Sequence, residues 1–127
     1  MGDFMKKYNK DIGSYGEDLS LDYLLKRDYS LLIKNFRNRN GEIDLICRYE
    51  EIIVFIEVKS RYCYHFGLPR EAVTYFKQKQ IINISKYFLY KYKLSNYNCR
   101  YDVLEVYFNK NDNKYFINHI EDAFRPY

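Results

Sequence analysis

The chain has 127 residues, with 47% apolar residues, two prolines and 21 Lys plus Arg against 17 Asp plus Glu. That length and composition predict one compact domain with an ordinary core and exclude a multidomain machine. No apolar run reaches the roughly 18 to 20 residues of a membrane helix, and MGDFMKKYNKD has no signal-like apolar stretch, so a cytoplasmic protein with no membrane partner is expected.

Residues 1–12 read as a loose basic arm and residues 13–127 as the folded domain. From about Ser14 to Arg27 the spacing is helical: Ile12, Tyr15, Leu19 and Tyr23 form one stripe, and Glu17 shares a face with Leu21 and Leu24. Three strands follow, over Ser30 to Arg37, Glu42 to Arg48 and Ile52 to Arg61, separated by turns at Asn38-Arg39-Asn40-Gly41 and Tyr49-Glu50-Glu51. Alternation puts Ile43, Leu45 and Cys47 on one face of the second strand and Glu42, Asp44, Ile46 and Arg48 on the other. On the third strand Ile52, Val54, Ile56 and Val58 oppose Ile53, Phe55, Glu57, Lys59 and Arg61; its first half is apolar on both sides, which predicts a central strand.

Gly67-Leu68-Pro69 breaks the chain, and helical spacing returns from about Arg70 to Lys93, with Val73, Phe76, Gln80, Ile84 and Phe88 roughly along one side. Strands are expected again over Arg100 to Phe108 and Tyr115 to Ile120. The helix between the third and fourth strands permits a crossover that sets them parallel, giving an α/β mixed sheet with helices packed on it.

Cys47, Cys63 and Cys99 are odd in number and lack a CxxC or Cys/His cluster, so neither disulfides nor structural zinc is expected. The net charge of +4 permits an anionic partner without demanding one. The 16 Tyr and 9 Phe offer stacking surfaces for bases, although packing is their commoner employment.

Chemistry concentrates at Asp44, Glu57 and Lys59. Glu57 and Lys59 project from the same strand face, and a tight turn at Glu50-Glu51 brings Asp44 near position 57, with the shared face depending on hairpin register. Carboxylates among Ile, Val and Phe are costly unless paired or bound to a cation. Oxygen donors without His or Cys suit Mg²⁺ or Mn²⁺. In that arrangement Asp44 and Glu57 hold the ion, Glu17 adds a third carboxylate, Gly16 lets its helix approach the sheet, and Lys59 sits by the attacking water of phosphodiester hydrolysis. An isolated Glu-x-Lys is otherwise a common solvated strand face.

The segments Gly13-x-x-Gly16-Glu17, Asn35-Phe36-Arg37, Gly41-Glu42-Ile43-Asp44-Leu45-Ile46, Val54-Phe55-Ile56-Glu57-Val58-Lys59-Ser60-Arg61, Gly67 with Glu71-Ala72-Val73 and Lys77, Arg100-Tyr101-Asp102-Val103 and His119-Ile120-Glu121-x-Ala123-Phe124 closely resemble the YraN family of small bacterial proteins. The resemblance places the chain in the PD-(D/E)XK nuclease superfamily, near the archaeal Holliday-junction resolvases. It implies a restriction-endonuclease-like αβββαβ core, with Asp44 as the superfamily aspartate, Glu57 and Lys59 as its E-x-K, and Glu17 as the helix carboxylate of resolvase-like members. Ile43 stands where the superfamily motif has proline. The implied function is Mg²⁺- or Mn²⁺-dependent cleavage of DNA, at branched structures, by a homodimer; the alternative is a nucleic-acid-binding module that keeps the fold without efficient cleavage.

Arg61 is a candidate phosphate contact, against a simple ion pair with acidic neighbours, and the Lys77-Gln78-Lys79-Gln80 segment, through Lys77 and Lys79, either adds a polar group to the site or tracks a nucleic-acid backbone, against a solvated helix face. His65 and His119 lack ligand spacing and read as structural, and Arg100 with Asp102 reads as an internal pair.

Overall fold

A computed structural model describes residues 2–63 and 73–126, with side chains from residue 12 onward. The elements are α1 (Gly2–Leu25), β1 (Ser30–Asn38), β2 (Gly41–Tyr49), β3 (Ile52–Cys63), α2 (Tyr75–Lys91), β4 (Asn98–Asn109) and β5 (Tyr115–Phe124). One five-stranded sheet runs β1-β2-β3-β4-β5; β3 and β4 are parallel and every other neighbouring pair is antiparallel. This is the α/β mixed sheet of a restriction-endonuclease-like αβββαβ core, with β5 added along β4.

Each face of the sheet carries its own apolar cluster. Ile53 and Phe55 of β3 join Phe36, Ile81, Ile84, Phe88, Tyr101 and Val103 on the α2 side. Val54 and Ile56 join Leu24, Tyr29, Leu45, Cys47 and Leu104 on the α1 side. The strand read as apolar on both sides is therefore the middle strand, because only that position buries both faces.

Four features depart from the sequence reading. Helix α1 starts at Gly2, so the backbone of residues 2–12, expected as a loose arm, is helical; no proline interrupts it. Its buried line is Gly16, Ser20 and Leu24, while the apolar stripe of Ile12, Tyr15, Leu19 and Tyr23 is only half-buried. Small residues win because a Cβ on Gly16 would run into the Ser60 hydroxyl of β3, so the helix sits as close as its backbone allows.

On β2, Ile43 packs with Ile46 on the α2 side rather than with Leu45 and Cys47. The paired register of β2 and β3 runs from Tyr49↔Ile52 to Leu45↔Ile56 and stops there, and the strand's alternation changes phase at Asp44. On α2, Phe76 is 77% exposed instead of lying with Ile84 and Phe88. Steps of four residues advance about 400° around a helix, so three of them rotate Phe76 about 120° away from Phe88. The helix begins at Tyr75, capped by Thr74 accepting from the Lys77 backbone N–H; Gly67, Pro69, His65 and the expected start at Arg70 lie outside the described residues.

Arg100, Asp102 and His119 form an internal network between β4 and β5. Asp102, fully buried, accepts from Arg100 Nε at 2.9 Å and Nη2 at 2.8 Å, from the Asp122 backbone N–H at 3.0 Å, and pairs with His119 Nε2 at 2.8 Å. Tyr29 and Tyr23 close it through Arg100 and His119. Burial pushes the Asp102 carboxyl up, but the His119, Arg100 and Asp122 hydrogen bonds outweigh it and hold the pKa below the ordinary value.

Candidate metal centre

The site lies at the fork where β2 parts from β3. Extending the register one step past Leu45↔Ile56 sets Asp44 opposite Glu57, but the ladder has ended, and Asp44 Oδ2 instead accepts from the Val58 backbone N–H at 2.8 Å. A carboxylate thus takes the place of a strand carbonyl and is fixed between the two strands. Glu42 follows it on β2 at two residues' distance. Glu17 reaches the fork from α1, which Gly16 allows to sit against Ser60. One carboxylate oxygen from each of Glu17, Glu42 and Asp44 lies within 4.8 Å of the others.

Asn35 on β1 supports two of them. It adopts a left-handed backbone, φ 55°, which Asn tolerates better than most residues; with its amide oriented nitrogen-first toward the acidic groups, as their two acceptor oxygens require, it donates to Glu17 Oε1 at 2.9 Å and Glu42 Oε1 at 2.7 Å. At the rim, Arg37 Nε pairs with Glu42 Oε2 at 2.9 Å and Lys34 Nζ with Asp18 Oδ1 at 2.8 Å.

Electrostatically the cluster is short of positive charge. Burial, then the neighbouring Asp44 and Glu42 carboxylates, push Glu17 up to about 7, against the Lys34 charge and the Asn35 hydrogen bond. Burial, then a hydrogen bond with Asp44 and its charge, raise Glu57 well above the carboxylate range, opposed by Lys77 and Lys59. Lys77 Nζ of α2 stands 3.6 Å from Glu57 Oε2. The donors are all oxygens within 4.8 Å of one another, a set that could hold a hard divalent cation and that such a cation would relieve of its mutual repulsion.

Residues 16–106 match the profile described as "Uncharacterised protein family UPF0102". A UPF0102 protein of Clostridium botulinum (strain Alaska E43 / Type E3) is 54% identical over 121 residues, covering 95% of this chain and 99% of the relative. One from Clostridium perfringens (strain 13 / Type A) is 55% identical over the same shares of the two chains, and one from Clostridium acetobutylicum 43%. The chain belongs to the UPF0102 family. This is the YraN family that the motifs resemble. The relatives carry the family name alone, so kinship fixes the family and leaves the chemistry to geometry.

Within this UPF0102 chain the fork brings Glu17 and Asp44 together with Glu42, whereas Glu57, expected in the same set, reaches Asp44 by a hydrogen bond and lies outside the group of three. Lys59 lies one pleat beyond Glu57 on the same face of β3, half-buried, and its charge acts on that carboxyl. Lys77, expected either to add a polar group to the site or to track a nucleic-acid backbone, is the ion-pair partner of Glu57. Lys79 projects to the outer side of α2, its Nζ 5.4 Å from the Tyr75 ring centroid. Arg61 is half-buried and its charge acts on the Tyr107 phenol.

Glu42 and Asn35 belong to the cluster and were not selected from the sequence. The signal for Glu42 was present, since it shares the Asp44 face at a two-residue spacing. Asn35 stands in the Asn35-Phe36-Arg37 segment that carries the resemblance, but strand alternation gave it no site role, because that role depends on a left-handed kink inside a strand.

Proposed function

We propose that this protein is a Mg²⁺- or Mn²⁺-dependent endonuclease that hydrolyses DNA phosphodiester bonds. One observation carries the reading: acidic groups from α1 and β2 converge within 4.8 Å at a fork where Asp44 also hydrogen-bonds Glu57. Glu17, Asp44 and Glu57 hold the cation, and Glu42 completes the oxygen set. The bound ion supplies charge neutralisation at a phosphoryl oxygen and a lowered pKa for water.

The chain's own residues do the rest. Asn35 aims Glu17 and Glu42, the Val58 backbone N–H fixes Asp44, and the Lys59 ammonium orients the attacking water and offsets charge developing on the phosphate. Lys77 opposes the upward shift of Glu57 and brings a second ammonium to the substrate side. Branched DNA as substrate and a homodimer as the cutting unit follow from the resemblance, since symmetric cleavage of two strands needs two sites.

A second reading has an observation of its own: Lys77 already gives Glu57 an internal counter-charge, as suits a nucleic-acid-binding module that keeps the fold without cleavage. Labelled linear, single-stranded and four-way-junction DNA, incubated with Mg²⁺ or Mn²⁺, separates the two. The enzyme reading predicts cleavage by wild type that falls at least about a thousandfold in Glu57→Ala and Lys59→Ala while DNA binding survives. Salt-sensitive binding with no cleavage under either ion overturns it in favour of the module.

A further inference from the structure

Helix α2 has a buried side and an outer side of unusual make-up. Ile81, Ile84, Ser85 and Phe88 face the sheet. Opposite them Tyr75, Phe76, Lys79, Asn83, Lys86 and Tyr90 recur at three- and four-residue spacing and are all exposed, Phe76 at 77% and Tyr90 at 80%. The helix carries four lysines and no carboxylate. At about 1.5 Å per residue the strip is about 22 Å long. Its N-terminal end opens into a cleft of about 290 Å³ formed with Asn40 of the β1–β2 turn, which is tied to the helix by the Gln80 side-chain amide donating to the Asn40 carbonyl.

Flat rings interleaved with ammonium groups complement a ligand offering both ring faces and anions. An unpaired nucleic-acid strand offers both, whereas in a duplex the base faces are already stacked. An anionic phospholipid surface would attract the lysines, but insertion needs a continuous apolar face, and this strip is interrupted by Lys79, Asn83 and Lys86 between its aromatic ends. A second copy docked face to face would set lysines against lysines.

We propose that the outer face of α2 binds single-stranded nucleic acid, with bases stacking on Phe76 and Tyr90 and phosphates meeting Lys79 and Lys86. The proposal rests on the nucleic-acid reading only for the identity of the polymer; it needs no cation at the fork. The test is fluorescence anisotropy in EDTA, with a labelled oligothymidylate long enough to span the strip and a blunt duplex of equal length.

The single strand should bind at least about tenfold more tightly than the duplex. Phe76→Ala with Tyr90→Ala should weaken single-strand binding about 10- to 100-fold and leave duplex binding unchanged, and Lys79→Glu with Lys86→Glu should flatten its salt dependence. Equal affinity for both forms, or no effect of the aromatic pair, would overturn the proposal. So would binding to phosphatidylglycerol vesicles without binding to the oligonucleotide, or self-association that the aromatic variants abolish. Because the readout excludes metal, its failure leaves the hydrolytic reading to the cleavage assay, and failed cleavage leaves the strip standing.

Discussion

Glu17, half-buried, and Asp102, fully buried, are carboxyl groups whose surroundings move them in opposite directions, and their effects on stability fall in separate pH windows. Glu17 rises from 4.5 to about 7, so the folded chain holds its proton more tightly than the unfolded chain. Its contribution to stability is full below pH 4.5 and is lost as pH rises through about 7. In EDTA, the melting temperature of wild type minus that of Glu17→Gln should fall by a few degrees across that window; a flat difference would contradict the crowding of Glu17 with Asp44 and Glu42.

Asp102 is lowered from 3.8, so its contribution is present above that pH and disappears on acidification through its folded-state value. Asp102→Ala strands Arg100 and His119, both largely buried, and should cost about 3 to 5 kcal/mol in urea denaturation. A loss under about 1 kcal/mol would show that the network adds little to stability.

At the scale of elements, the site depends on how closely α1 meets β3. Gly16→Val would force a side chain into Ser60, lifting the helix and withdrawing Glu17 from the fork. The expected cost is about 1 to 3 kcal/mol, with weaker Mn²⁺ binding in isothermal titration. Addition of Ser60→Gly should recover part of both. Unchanged Mn²⁺ affinity in Gly16→Val would mean that helix position does not set the ligand geometry.

The sheet itself was legible. The Tyr49-Glu50-Glu51 turn brought Asp44 near position 57 while leaving the register open, and the two-sided apolar run of Ile52–Val58 marked the middle strand. The fork was not legible, since alternation assumes unbroken pairing, whereas Asp44 leaves the ladder to bond the Val58 N–H. That departure also moved Ile43 to the other face. The outer strip of α2 escaped for a related reason, because four-residue spacing drifts around a helix and carried Phe76 away from the core.

At the scale of the molecule, two helices clamp one sheet among the described residues, and the acidic cluster forms because α1, β1 and β2 each deliver one part of the set to the fork. Among the described residues no helix is long and apolar enough to cross a membrane. UPF0102 kinship extends over 95% of the chain in the Clostridium botulinum relative, so the whole arrangement, not a fragment of it, is the unit to test.

Anomalous diffraction from crystals grown in Mn²⁺ tests the central claim most directly. The account predicts a manganese peak at the fork, about 2.0 to 2.3 Å from oxygens of Asp44, Glu57 and Glu17. Ordered side chains around an empty fork, with Lys77 still paired to Glu57 at saturating Mn²⁺, would contradict it.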